Sequence, residues 1–114
     1  MSEQPEINIF KALDFIRDNS AAFAKAKAER IYLEEFRKTK KAILMRSAEE
    51  EGAKSSATQE RDAYAHPAYI VLLNALRDAV EEEERLRWLI IAAQAKVEVW
   101  RSLGANQRAE AKTI

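Results

Sequence analysis

The sequence predicts an all-α fold: a long antiparallel helical hairpin of coiled-coil type with short flanking helices, assembled as an oligomer. Three observations point there. The 114 residues hold only two Gly and two Pro, whereas sandwiches and barrels need turn residues roughly every 8–12 positions. Ala, Glu, Lys, Leu and Arg dominate, as in long helices, and no β-branched run separates the helical stretches as a parallel α/β fold would require. Apolar residues recur at steps of three and four, which is helical spacing.

The length allows one domain, 1–114. Lys and Arg number 19 and Asp and Glu number 19, so formal charge is zero; 33% of residues are charged and 47% hydrophobic, a foldable balance. Residues 1–19 are expected to form a short amphipathic helix, with Pro5 in its first turn and Ile7, Phe10 and Leu13 on one face. Asn19-Ser20 offers a break and a cap. A long helix over 20–51 follows, closed by Gly52. Residues 52–66 form a bend in which Ser56 and Gln59 resemble a capping box for a short helix over 57–65. His66-Pro67 breaks the chain, because the residue before Pro is pushed out of helical geometry. The last helix covers 67–104 with Gly104 as its cap, and 105–114 is a frayed tail.

In the last helix one stripe reads Tyr69, Leu72, Leu76, Ala79, Glu83, Leu86, Ile90, Ala93, Val97, Trp100. Its alternating steps of three and four are a heptad seam with Glu83 as the charged intruder. The central helix offers Ala22, Ala26, Glu29, Leu33, Phe36, Lys40, Ile43 and Ser47. Lys40 and Glu83 meet across the pair in this reading, or else both snorkel to water. Between Leu86 and Trp100, eleven of fifteen residues are apolar. Trp88, Ala92, Ala95 and Val99 make a second stripe on the opposite face. A hairpin buries one face of a helix, so this second stripe calls for a cover. Another subunit is the favoured cover and the folded-back N-terminal helix the alternative; Trp88, Ala92, Ala95 and Val99 are thus the expected oligomer interface.

Catalytic chemistry finds little footing. The absence of Cys excludes disulfides, thiolate zinc sites and Cys nucleophiles, and fits a reducing cytoplasm. One His, His66, without Cys or clustered carboxylates makes no metal site, and two glycines cannot build a phosphate loop. No enzyme, metal or cofactor is expected. Glu81–Glu84 point in four directions around a helix and are read as a solvated, ion-paired face. No apolar run is long enough to span a bilayer, and the polar, acidic start Met-Ser-Glu-Gln-Pro-Glu is unlike a signal peptide. The expectation is a cytoplasmic protein without membrane contact.

The central helix carries the functional signal. From Lys25 to Arg46 there are eight basic and three acidic residues, a local charge of +5 in a neutral chain. Lys27, Arg30, Arg37, Lys38 and Lys41 fall within a sector of about 100°, interrupted by Glu34 and with Phe23 at its N-terminal end. Such a strip suits a phosphate backbone, and an adjacent aromatic suits an unpaired base. The alternative is an ordinary solvated helix face.

The segments Arg30-Ile-Tyr-Leu-Glu-Glu-Phe-Arg-Lys-Thr-Lys-Lys-Ala-Ile-Leu-Met, Glu60-Arg-Asp-Ala-Tyr-Ala-His-Pro-Ala-Tyr and Ala92-Ala-Gln-Ala-Lys-Val-Glu-Val-Trp-Arg-Ser resemble small phage-encoded helical proteins of recombination regions. The layout over 22–108 is similar to UvsY-type recombination mediators, although those proteins tend to be more basic. The resemblance implies a helical homo-oligomer in the host cytoplasm that binds single-stranded DNA and helps load a recombinase, with a recombinase or single-strand-binding protein as partner. The competing expectation is a helical protein-interaction module, a scaffold, assembly chaperone or inhibitor of a host enzyme, that binds no nucleic acid.

Overall fold

The computed structural model of the protein describes residues 6–113. Their regular elements are all helical: α1 (Ile9–Glu50), α2 (Ser56–Ala65) and α3 (Pro67–Thr113). Among the described residues no helix is long and apolar enough to cross a membrane.

The helix ends follow local chemistry. Asn8 caps α1: its side-chain oxygen accepts from the Lys11 N–H at 3.1 Å, satisfying a donor that the first turn leaves open. The expected start at Pro5 lies outside the described residues. The expected break at Asn19-Ser20 does not occur. Both side chains bond back into their own helix, Asn19 donating to the Phe15 carbonyl and Ser20 to that of Ile16, so residues that would cap a new helix ride inside one. Residues 9–19 are therefore the first turns of α1 and not a separate element.

Gly52 ends α1 as expected. At φ +111° it adopts a conformation open to glycine. Its N–H donates to the Glu49 carbonyl and that of Ala53 to Ala48, at 3.1 and 2.9 Å, the paired bonds of a Schellman ending. The cap of α2 is Ser55, one residue before the expected Ser56; its hydroxyl accepts from the Thr58 N–H. Gln59 does not close a capping box but donates to the Ala53 carbonyl. His66 is extended (φ −67°, ψ 135°) and ends α2. Its Nδ1 then accepts from the Ala68 N–H at 3.0 Å, so the one histidine caps α3. Gly104 is not a cap: α3 continues through it to Thr113, and 105–113 are helical where a frayed tail was expected.

The chain divides into two compact units. One comprises Ala24–Glu83: the C-terminal part of α1, all of α2 and the start of α3. Leu44, Ala63 and Tyr69 form its core cluster, with Met45 and Ala68 packed against it. Ala26, Leu33, Ala48 and Leu72 are also buried. The seam expected on α1 holds at Ala26 and Leu33 but then drifts, burying Leu44 (6% exposed) in place of Ile43 (49%). From Leu33 to Leu44 is eleven residues, three turns of a nearly straight helix, where a strict heptad would have demanded ten.

The other unit comprises α1 up to Phe23 and α3 from Glu84. Ala12, Leu86 and Ala93 are its buried side chains. Small Ala side chains on both helices permit close helix approach. Ile7, Phe15, Leu89 and Ala92 join Ala12 and Ala93 around one groove of this unit.

Candidate nucleic-acid interface

The five expected cations on α1 have different fates. Arg30 is structural. It donates to both carboxylate oxygens of Glu83, at 2.9 Å through Nη2, and also to Glu34 at 3.1 Å. Its guanidinium is held above its ordinary pKa, chiefly by the bonds to Glu83. Glu83 is 7% exposed, and a buried carboxylate needs such a partner. Glu83 is thus neither part of a solvated acidic face nor the partner of Lys40, and Arg30 is withdrawn from the strip. The reason is register: the pairing that sets Leu44 beside Tyr69 brings Arg30, ten residues before Lys40, to Glu83.

Lys41 is also engaged. Its ammonium lies 4.8 Å from the centroid of the Tyr64 ring and 3.0 Å from Glu60. Tyr64 first and Glu60 second raise its pKa. Lys38 makes a solvent-exposed pair with Glu35 at 3.3 Å, which adds little stability and breaks readily. Lys27 and Arg37 are exposed, with no ion pair among the described residues. Two cations of the strip are therefore matched by acids from α2 and α3, Glu60 and Glu83, which lowers the net charge around residues 25–46 from +5 to +3.

What remains is compact. Arg37, Lys38 and Lys41 line one open depression with Tyr64 and Tyr69. The two tyrosine rings meet edge to face at 5.2 Å and 69°. Tyr69 is buried, and Tyr64 remains 44% exposed, so its ring is braced yet reachable. The aromatic beside the cations is thus Tyr64 from α2. Phe23, the aromatic expected there, is half-buried and belongs to the other unit. The α1 sequence contains no signal for Tyr64, because its position depends on α2 turning back after the Gly52 ending. The short spacing from Gly52 to the α2 cap was the available clue.

Trp88 and Val99 are 58% and 49% exposed, and Ala92 and Ala95 are exposed. Their stripe lies roughly 140° round α3 from buried Leu86 and Ala93. Arg87 stacks over the Trp88 ring at 4.7 Å while binding Glu84 at 2.8 Å.

Among the described residues no group of three or more His, Asp or Glu side chains is placed to hold a metal ion. No family model, curated protein or solved structure matches the chain.

Proposed function

We propose that the protein is a non-enzymatic, self-associating accessory factor that binds single-stranded DNA, acting in phage recombination or repair in the manner of a recombinase mediator. The observation that carries this is the depression in which Arg37, Lys38 and Lys41 stand beside the braced ring of Tyr64. Phosphates pair with Arg37 and Lys38, and an unpaired base stacks on Tyr64. Stacking and backbone charge read no base edges, so little sequence preference is expected. Double-stranded DNA hides its base faces and gains only the electrostatic part.

The test is a fluorescence titration with single- and double-stranded oligonucleotides at two salt concentrations. Arg37→Glu/Lys38→Glu is the decisive variant; Lys41 is left intact because its reversal would set two carboxylates together at Glu60. The variant is expected to lose binding and keep its helicity. Arg37→Ala/Lys38→Ala is expected to flatten the salt dependence by about 1.4 in slope, from roughly 0.7 counterion per phosphate. Unchanged affinity in the charge-reversed protein would remove the proposal.

A second reading is a protein-interaction module, favoured by large apolar side chains at the surface: Phe10 is 74%, Val71 67% and Trp88 58% exposed. It predicts no DNA binding even at low salt.

A further inference from the structure

The exposed stripe on α3 has a symmetry in its spacing. Trp88, Ala92, Ala95 and Val99 are separated by four, three and four residues. Read from either end, the spacing is the same, and the size order is large, small, small, large. A twofold axis perpendicular to two antiparallel helices brings together residues equidistant from it on opposite sides. An axis between Ala92 and Ala95 therefore sets Trp88 against Val99 at both ends and Ala against Ala in the middle. Arg85, one step outside, meets Ser102. Parallel pairing in register would instead stack Trp on Trp, with a thin pair of Ala layers between Trp and Val layers. The void opposes that arrangement.

One further observation favours a second copy: Leu103, 48% exposed, lies about 40° round α3 from Val99 and extends the apolar face beyond the four stripe residues.

We infer that two copies of this chain pair through α3 in antiparallel register about an axis between Ala92 and Ala95, with Trp88 packing on the partner's Val99. This rests on the self-association proposed above and adds its orientation and register.

The chain has no Cys, so single cysteines can carry spin labels. Arg101→Cys and Arg108→Cys place labels on one exposed face of α3. In the antiparallel pair, each residue farther from the axis adds about 3 Å between twin labels, twice the helical rise. With the axis midway between Ala92 and Ala95, electron–electron dipolar spectroscopy is expected to find the twin labels about 22 Å apart along the helix axis at 101 and about 44 Å apart at 108. The difference of about 20 Å reports the antiparallel orientation, and the absolute separations report the register. As a packing test, Val99→Trp alone is expected to raise the dimer dissociation constant at least tenfold, and adding Trp88→Val to restore it. Equal distances at the two sites mean parallel pairing and overturn the register while self-association stands. An increment of about 20 Å with both separations shifted together keeps the antiparallel orientation but overturns the register. A mass of 13.0 kDa in light scattering with no dipolar coupling overturns both. Failure of the swap to restore pairing contradicts the Trp88–Val99 contact even if the distances agree.

Discussion

Leu86→Ala tests whether α3 turns its Leu86 face inward. Leu86 is 4% exposed, and the buried side chains with it in its unit are Ala12 and Ala93. Cutting Leu to Ala in a closed core costs about 2–5 kcal/mol, rising with the cavity left behind. The other buried side chains of the unit are both Ala, so little bulk is fixed there to hold a cavity open and the site is expected to close partly on itself. The expected loss is in the lower half of that range, about 2–3 kcal/mol. At about 4 °C per kcal/mol for a chain of this size, the melting midpoint falls by roughly 10 °C. Val71→Ala is the control: Val71 is 67% exposed, and Ala is the better helix former, so its effect stays within about 0.5 kcal/mol and on the stabilising side. Circular dichroism melts and urea titrations at one fixed protein concentration measure both, which removes the contribution of mass action. Equal shifts in the two variants would show that the inner face of α3 has been assigned to the wrong residues.

The two glycines are expected to respond to alanine with opposite signs. Gly52→Ala, at φ +111° with nothing within 4 Å of the new Cβ, is expected to destabilise by about 1–2 kcal/mol through backbone strain alone. Gly104→Ala, in the body of α3 with only the mobile Arg108 Nη1 at 3.5 Å, is expected to stabilise by about 0.8–1 kcal/mol; urea midpoints moving the same way in both would refute this. Lys41, raised above its ordinary value of 10.5 by Tyr64 and then Glu60, contributes stability that is complete below that value and is lost as pH climbs through the higher folded value. The gap in melting midpoint between wild type and Lys41→Met should hold steady from about pH 7 to about pH 10 and close above 10.5; a gap already closing at neutral pH would contradict it.

The sequence makes the α3 face legible and leaves its partners obscure. On the stripe from Tyr69 to Trp100, Tyr69, Leu72, Glu83, Leu86 and Ala93 are buried, and Leu76, Ala79, Ile90 and Val97 half-buried. Only Trp100 is exposed. A periodic pattern reports which side of a helix turns inward, because burial and spacing are both properties of one element. It does not report which residue of another helix arrives opposite. Hence the spacing marks Glu83 as an intruder but leaves its partner open between Lys40 and water, where the register delivers Arg30. The Gly52 and His66-Pro67 boundaries were legible because each has a covalent cause, a missing Cβ or a pyrrolidine ring. The Asn19-Ser20 break was not, because these side chains can either cap a new helix or bond back into the present one. The surrounding helical sequence decides for the second.

The same distinction separates the cations of the proposed site from those held by structural partners. Helical spacing put Lys27, Arg30, Arg37, Lys38 and Lys41 on one strip, and only tertiary pairing sorts them. Arg30 holds a buried carboxylate and Lys41 braces Tyr64 and Glu60; neither can turn to a phosphate without abandoning a partner. Arg37 is exposed, and Lys38 holds only a surface pair. With two readily available cations in a neutral chain, the proposed site is expected to bind only at the level of non-specific contacts, about 10⁻⁴–10⁻⁶ M at physiological salt. Joining two chains supplies a second site at an effective concentration on the order of 1 mM. For a single-site constant near 10⁻⁴ M, that tightens binding about tenfold without any new contact. In the proposed function, self-association through the apolar stripe of α3 and DNA binding through α1 and α2 are two parts of one mechanism. Under that proposal a neutral chain avoids indiscriminate binding, and affinity rises when assembled copies share one strand.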